Sequence, residues 1–222
     1  MDSLGYAFKN SQWLEEALTH PSCNLKTEDG SPFSYQRLEF LGDAVLGAVV
    51  SQLLFEHFPQ ESEGALARRK AALVNKEAVA EVVRELGIQQ HIRFSATEEQ
   101  SGAQENISVQ EDVGEAVIGA IFTDGGYEAA RAFIEAHWLA RLHAQTEAPI
   151  DAKTALQEWT QARGLGLPAY SVVGQEGPAH APLFTVEVAV EGQPSQQAAA
   201  SNKRQAEQLA ADQMLQQVIT HD

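Results

Sequence analysis

The chain has 222 residues, room for one large or two modest domains. Hydrophobic residues make up 44% and charged residues 21%, a balance that excludes wholesale disorder. Fifteen Lys and Arg against 31 Asp and Glu give a net charge of −16, which by itself argues against a nucleic acid partner. The two halves do not differ in this respect, with 11 basic and 23 acidic side chains in residues 1–150 and 4 and 8 in residues 151–222.

No apolar run approaches the ~20 residues that span a bilayer. The longest, Ala44 to Phe55, is interrupted by Gly47, Ser51 and Gln52. Met1-Asp2-Ser3-Leu4-Gly5 has neither the basic nor the apolar region of a secretory signal. A single cysteine, Cys23, excludes an internal disulfide and a Cys-rich zinc site. These features predict a reduced, soluble, cytoplasmic protein with no membrane partner.

Helical periodicity runs to about residue 145. It predicts a short helix over Trp13 to Thr19 and a long one over Ser34 to Phe58, stopped by Pro59. Helices over Gly64 to Asn75 and Lys76 to Leu86 follow, the second ended by Gly87. Ser108-Val109-Gln110-Glu111 fits a capping box opening a helix to about Thr123. Asp124-Gly125-Gly126 predicts a turn, and Tyr127 to His143 another helix.

The pattern then changes. The polar, proline-containing stretch around 147–151 predicts a linker. Ala152 to Arg163 reads as a helix and Tyr170 to Val173 as a strand. Leu183 to Val190 alternates, with Phe184, Val186, Val188 and Val190 on one side. A weaker strand, Gln193 to Ala199, precedes a last helix from Asn202 that places Ala206, Leu209, Ala210, Gln213, Met214 and Val218 on one buried face. The sum is α-β-β-β-α, an antiparallel sheet with two helices on a single face.

The most informative residues are acidic. Glu39 and Asp43 are four apart on a helix face that continues through Leu46 and Val50 into core. Asp112 and Glu115 repeat the device on a face continuing to Gly119 and Phe122, and Gly114 and Gly119 would admit another backbone closely. One such pair is also common on a solvated helix. Two pairs, each on an otherwise apolar helix, make a candidate acidic metal site. Oxygen ligands without His or Cys suit a hard divalent ion, Mg²⁺ or Mn²⁺.

Arg37-Leu38-Glu39-Phe40-Leu41-Gly42-Asp43-Ala44-Val45-Leu46 resembles the signature of the ribonuclease III family. Glu111 to Ala120 is similar to that family's second acidic motif. Ala17-Leu18-Thr19-His20-Pro21-Ser22 and Asp124-Gly125-Gly126 fit the same pattern in the same order. The C-terminal part resembles the double-stranded RNA-binding domain that follows in bacterial members. The resemblance implies an all-α catalytic and dimerisation domain over 1–146, a linker over 147–151 and an α+β double-stranded RNA-binding domain over 152–222. It implies an endoribonuclease that cuts both strands of duplex RNA and leaves 5′-phosphate and 3′-hydroxyl ends, in processing of ribosomal RNA precursors and messenger RNAs. Glu39, Asp43, Asp112 and Glu115 would be metal ligands, with Asp43 and Glu115 catalytic and Mg²⁺ the cofactor, replaceable by Mn²⁺. The partner is a second copy of the chain, and Phe40 would be an aromatic knob of the homodimer interface; an ordinary core phenylalanine is the other reading.

Gln36 stands where relatives commonly carry Glu, and Glu63 matches a further acidic position; neither is assigned to catalysis. Asn75 fits a water-orienting role or a helix cap. Arg68-Arg69-Lys70 is either a solvated helix face or, by resemblance, a phosphate-contacting edge. In the second domain the resemblance makes Thr154, Gln157 and Glu158 minor-groove contacts, His180 a loop contact, and Lys203 and Arg204 phosphate contacts. Asn202 replaces a positive charge common in relatives. Two other readings stay open: a duplex-RNA-binding regulator with little cleavage, and a metal-dependent hydrolase of small phosphate esters.

Overall fold

The computed structural model describes residues 4–145, 152–178 and 182–220, the side chains of 219 and 220 excepted. The chain divides into two units, Met1–Pro149 and Ile150–Asp222. The expected linker over 147–151 lies outside the described residues.

In the first unit the elements are helices: α1 (Ser11–Ala17), α2 (Gln36–His57), α3 (Glu63–Leu73), α4 (Lys76–Glu85), α5 (Ala96–Gln100) and α6 (Ile107–Ala144). α2 and α6 form the centre. Leu46, Val49, Leu53 and Leu54 of α2 and Val113, Val117, Ile118 and Ile121 of α6 are buried in one apolar core. α2 is long and apolar enough to cross a membrane by length and composition, contrary to the expectation from its Gly, Ser and Gln interruptions. Those residues do not break the run because the stretch from Ala44 to Phe55 is otherwise Leu, Val, Ala and Phe. One face of it is given to the core, and the helices packed there supply what lipid would otherwise.

α6 comprises the two helices expected to either side of a turn at residues 124–126. The segments before and after Asp124-Gly125-Gly126 meet end to end at a kink, where Gly126 has φ 78° and ψ −172°. Only glycine holds that backbone without strain. Asp124 fastens the kink to the N-terminal segment, accepting hydrogen bonds from the Tyr6 hydroxyl (2.8 Å) and the Lys9 and Asn10 amides (2.7 and 2.9 Å). The helix also starts two residues earlier than the expected capping box implies. Asn106 is the cap, its side chain accepting from the Ser108 amide, and the Ser108 hydroxyl instead meets the Lys76 ammonium at 3.0 Å. Asn75 likewise caps α4, accepting from the Ala78 amide at 2.9 Å.

The second unit has α7 (Ala152–Ala162), β1 (Ala169–Glu176), β2 (Leu183–Ala189), β3 (Gln196–Ala200) and α8 (Lys203–Thr220). The strands form one antiparallel sheet in the order β1-β2-β3. Alternation along β2 puts Val186 and Val188 inward, against Leu156 of α7 and Ala206, Ala210 and Met214 of α8. β1 is longer than expected and carries a bulge between Val172 and Gly174. On α8 two residues depart from the expected buried face: Leu209 and Gln213 are exposed, and Ala211 is buried in their place. The stripe that meets the sheet is narrower than apolar spacing implied, and it is lined by alanines that let the helix lie close.

Candidate active site and RNA-binding surfaces

The site begins with two glycines. A Cβ on Gly42 would stand 1.8 Å from the carbonyl oxygen of Glu115, and one on Gly119 would stand 2.1 Å from that of Leu38. α2 and α6 therefore cross backbone to backbone, at a separation open only to glycine. Gly42 lies between Glu39 and Asp43, and Gly119 lies one turn beyond Glu115. The close crossing brings the two acidic pairs into one electrostatic field. Gly114 is tight for a different reason, its position facing the Val79 and Val83 side chains of α4.

Glu115 is 8% exposed. Burial, reinforced by the charges of Asp43, Glu111, Glu39 and Asp112, pushes its carboxyl up to about 8. Burial and then the charges of Asp112, Glu111 and Asp43 raise Glu39 in the same direction. Glu111 is a fifth member that sequence reasoning did not single out. Burial raises it, and Lys76 at 3.8 Å opposes that shift. Among the described residues no Lys, Arg or His pairs with Glu39, Asp43, Asp112 or Glu115 within ion-pair distance.

Among the described residues, no three His, Cys, Asp and Glu side chains are drawn together closely enough to hold an ion. The carboxylates share one electrostatic field. Their chemistry fits a hard divalent cation: the donors are all oxygen, partly desolvated and mutually repelling. A cation there would remove the repulsion that raises Glu115 and Glu39.

Asp112 has a further partner. The Tyr35 hydroxyl, from the residue preceding α2, donates to its Oδ2 at 3.0 Å. Tyr35 is 5% exposed, and burial together with the Asp112 and Glu39 charges holds its hydroxyl protonated far beyond the usual range. Its ring lies edge-on to His20, 5.7 Å between centroids.

Phe40 is 81% exposed on α2, which removes the core reading; Phe55 on the same helix is 72% exposed. The basic run behaves differently from its phosphate-contact expectation. Arg69 is 1% exposed. Its guanidinium is held bidentately by Glu61 (2.7 and 2.6 Å), donates to the Gln145 carbonyl oxygen, and lies over the Phe58 ring. It is an internal fastening, not a surface charge.

In the second unit Thr154, Gln157 and Glu158 share the exposed face of α7, opposite buried Leu156 and Thr160. Lys203 and Arg204 are exposed in the first turn of α8, and Lys203 lies 5.7 Å from the centroid of the Phe184 ring. Asn202 has its own task there, accepting from the Gln205 amide at 2.9 Å as the cap of α8. His180 lies outside the described residues.

Residues 10–142 match the family model described as Ribonuclease-III-like, and residues 152–218 match the double-stranded RNA binding motif. The chain is 44% identical over 215 residues to a Ribonuclease 3 of Wolbachia sp. subsp. Brugia malayi, covering 97% of this chain and 88% of that protein.

This chain belongs to the ribonuclease III family.

A second family member, Ribonuclease 3 of Azorhizobium caulinodans, is 46% identical over 212 residues, 96% of this chain and 90% of that protein. The nuclease domain of Ribonuclease III from Campylobacter jejuni, described as flexible in a region involved in dimer formation, superposes with a TM-score of 0.55 at 38% identity. That match covers 67% of this chain and 96% of the other. Dicer from Pichia stipitis, at 24% identity and a TM-score of 0.50, shares the fold over 95% of this chain and 96% of its own. As a ribonuclease III family member with a double-stranded RNA binding motif, the chain is an endoribonuclease of double-stranded RNA. The family is metal-dependent.

Several site features escaped sequence reasoning. Gly42 was visible only as part of the signature, and its role needs the position of α6. Tyr35 heads the same stretch, but a hydrogen bond spanning 77 positions leaves no periodic trace. Glu111 stands four residues before Glu115 and so shares its helix spacing, but the sequence reads it as the end of a capping box and as part of the second acidic motif, not as a member of the carboxylate cluster.

Proposed function

We propose that the chain cuts both strands of duplex RNA at a Mg²⁺-dependent site built from Glu39, Asp43, Asp112 and Glu115. The products carry 5′-phosphate and 3′-hydroxyl ends, and the substrates are ribosomal RNA precursors and structured messenger RNAs in the cytoplasm. What carries this reading is the crossing at Gly42 and Gly119, which sets two acidic pairs against each other, with no ion pair to either among the described residues.

When bound, Mg²⁺ supplies charge stabilisation to the reacting phosphate and lowers the pKa of coordinated water. The protein's part is to hold the ligands. Glu115 is buried on α6, whereas Asp43 is exposed on α2. The raised protonation of Glu115 means that a proton leaves as the cation enters, so occupancy rises with pH.

The active form is a homodimer, each subunit cutting one strand. Phe40 and Phe55, two large apolar side chains left exposed on the same helix, are consistent with this, and the related Campylobacter jejuni nuclease domain is described as having a region involved in dimer formation. Thr154, Gln157, Glu158 and His180 read the duplex by shape and 2′-hydroxyls, and Lys203 and Arg204 bind its phosphates. This division suits a chain of net charge −16: the few cations act locally, and polar groups do the remaining recognition.

The test is digestion of a long perfect RNA duplex with Mg²⁺, with Mn²⁺ and with EDTA, the product ends typed by phosphatase and ligase sensitivity. Short duplexes with 5′-phosphates, formed only with a divalent ion, are expected. Tight duplex binding without cutting in either ion would instead identify an RNA-binding regulator.

A further inference from the structure

The Ala17-to-Ser22 stretch has no part in the metal or RNA contacts described above, yet it is packed with care. Thr19 is fully buried and its carbonyl oxygen accepts from the Tyr35 amide at 2.9 Å. The His20 ring is wedged between the rings of Tyr35 and Phe94, at 5.7 and 5.1 Å between centroids. The rotation of that ring is itself fixed, since Nδ1 of His20 meets both the amide (3.1 Å) and the hydroxyl (2.8 Å) of Ser22. The Ser22 hydroxyl in turn accepts from the Ser95 amide at 3.1 Å. Backbone and ring of Tyr35 are thus both held from outside α2. The end of this chain of contacts is one hydroxyl, aimed at Oδ2 of Asp112 from 3.0 Å.

We propose that Tyr35 is a positioning residue for the metal site, fixing the carboxylate plane of Asp112 so that its ligand oxygen is presented in one orientation. The inference rests on the reading of Asp112 as a ligand. A carboxylate on a two-bond side chain rotates freely unless one oxygen is held. A neutral phenol can hold it without adding charge, and so without competing with the cation as a lysine would. The hydrogen bond also withdraws negative charge from the carboxylate most closely coupled to Glu39. Mg²⁺ demands near-ideal octahedral geometry, so the benefit of a fixed carboxylate falls on ion affinity and not on RNA affinity. Groups that orient metal ligands in this way are worth about 10–100-fold in metal affinity or activity when removed.

The experiment compares the full chain with Tyr35→Phe and Asp112→Asn. Mn²⁺ binding is read by electron paramagnetic resonance without RNA, and the Mg²⁺ needed for half-maximal cleavage is read against the KM for duplex RNA. Tyr35→Phe keeps the ring against His20. The account expects about a tenfold loss of Mn²⁺ affinity and a matching rise in the Mg²⁺ requirement, with KM for RNA unchanged. The gain in melting temperature on adding Mn²⁺, taken against each variant's own metal-free value, separates lost binding from lost stability. Mn²⁺ affinity within twofold of the parent in Tyr35→Phe, with Asp112→Asn impaired, would overturn the role of Tyr35 alone. Unimpaired Mn²⁺ binding in Asp112→Asn would overturn the ligand reading beneath it.

Discussion

Gly42 of α2 sits against the backbone of Glu115 of α6 so closely that a methyl group on Gly42 would stand 1.8 Å from the Glu115 carbonyl oxygen. The acidic site depends on that approach. Carboxylates four and three residues apart form a pair on any helix, but two pairs form one site only if their helices touch between them.

Gly42→Ala therefore forces α2 and α6 apart at the level of Glu39 and Asp43. Overpacking of a tight contact costs about 1–3 kcal/mol, and because both neighbours here are backbone the upper end applies. The expected result is a lowered melting temperature and cleavage reduced by far more than duplex binding. Gly47→Ala on the same helix is the comparison, since the nearest atom there is the flexible end of Lys70 at 3.4 Å. Equal behaviour of the two variants would contradict the crossing argument.

The protonation of Glu115 has a sign that can be measured. Its carboxyl has an ordinary value of 4.5 in the unfolded chain and about 8 in the folded one. Between those values the folded protein keeps a proton that the unfolded chain has released. Stability linked to this group is therefore full below the unfolded value and is lost as pH rises through the folded one. In EDTA, Glu115→Gln should melt close to the parent at pH 4.5 and progressively above it toward pH 8. Saturating Mg²⁺ should shrink that difference by restoring the parent. A constant difference across the range would show that Glu115 is not the group involved.

Arg69 is predicted to stabilise the nuclease unit rather than bind RNA. Removing one partner of a buried ion pair costs about 3–5 kcal/mol, so Arg69→Met should lower the melting temperature by many degrees. Its effect on the salt dependence of duplex binding should be nil. A phosphate-binding arginine would instead reduce the slope of log affinity against log salt by about one when replaced.

Lys203 and Arg204 carry the opposite expectation. Replacing both by alanine should weaken duplex binding and flatten the salt slope by about two, one for each phosphate left without its cation. Gln157→Ala should weaken binding and leave the slope unchanged, because a polar group on a 2′-hydroxyl releases no counterion. Filter binding across a salt series distinguishes the two.

The fold was largely legible where one periodicity ran unbroken. α2 and β2 declare themselves by apolar spacing, and the four carboxylates by shared helix faces on apolar helices. Legibility failed where two distant segments meet. Arg69 looks like part of a surface charge run until Glu61, Phe58 and the Gln145 carbonyl close around it. Asn202 looks like a missing charge until its side chain is found capping α8. Leu209 followed helical spacing and is exposed, because the small residues Ala206, Ala210 and Ala211 set the packing with the sheet instead. Spacing reports which residues share a face; it does not report how wide a face the partner covers.

The most direct test of the central claim is cleavage of a long RNA duplex by the parent and by Glu115→Gln in Mg²⁺, with duplex binding of both measured in Ca²⁺. The account predicts Mg²⁺-dependent cutting by the parent, loss of cutting by at least about a hundredfold in the variant, and equal binding by both. Cleavage by Glu115→Gln at the parental rate, with the parent equally active in EDTA, would contradict a metal site made by these carboxylates.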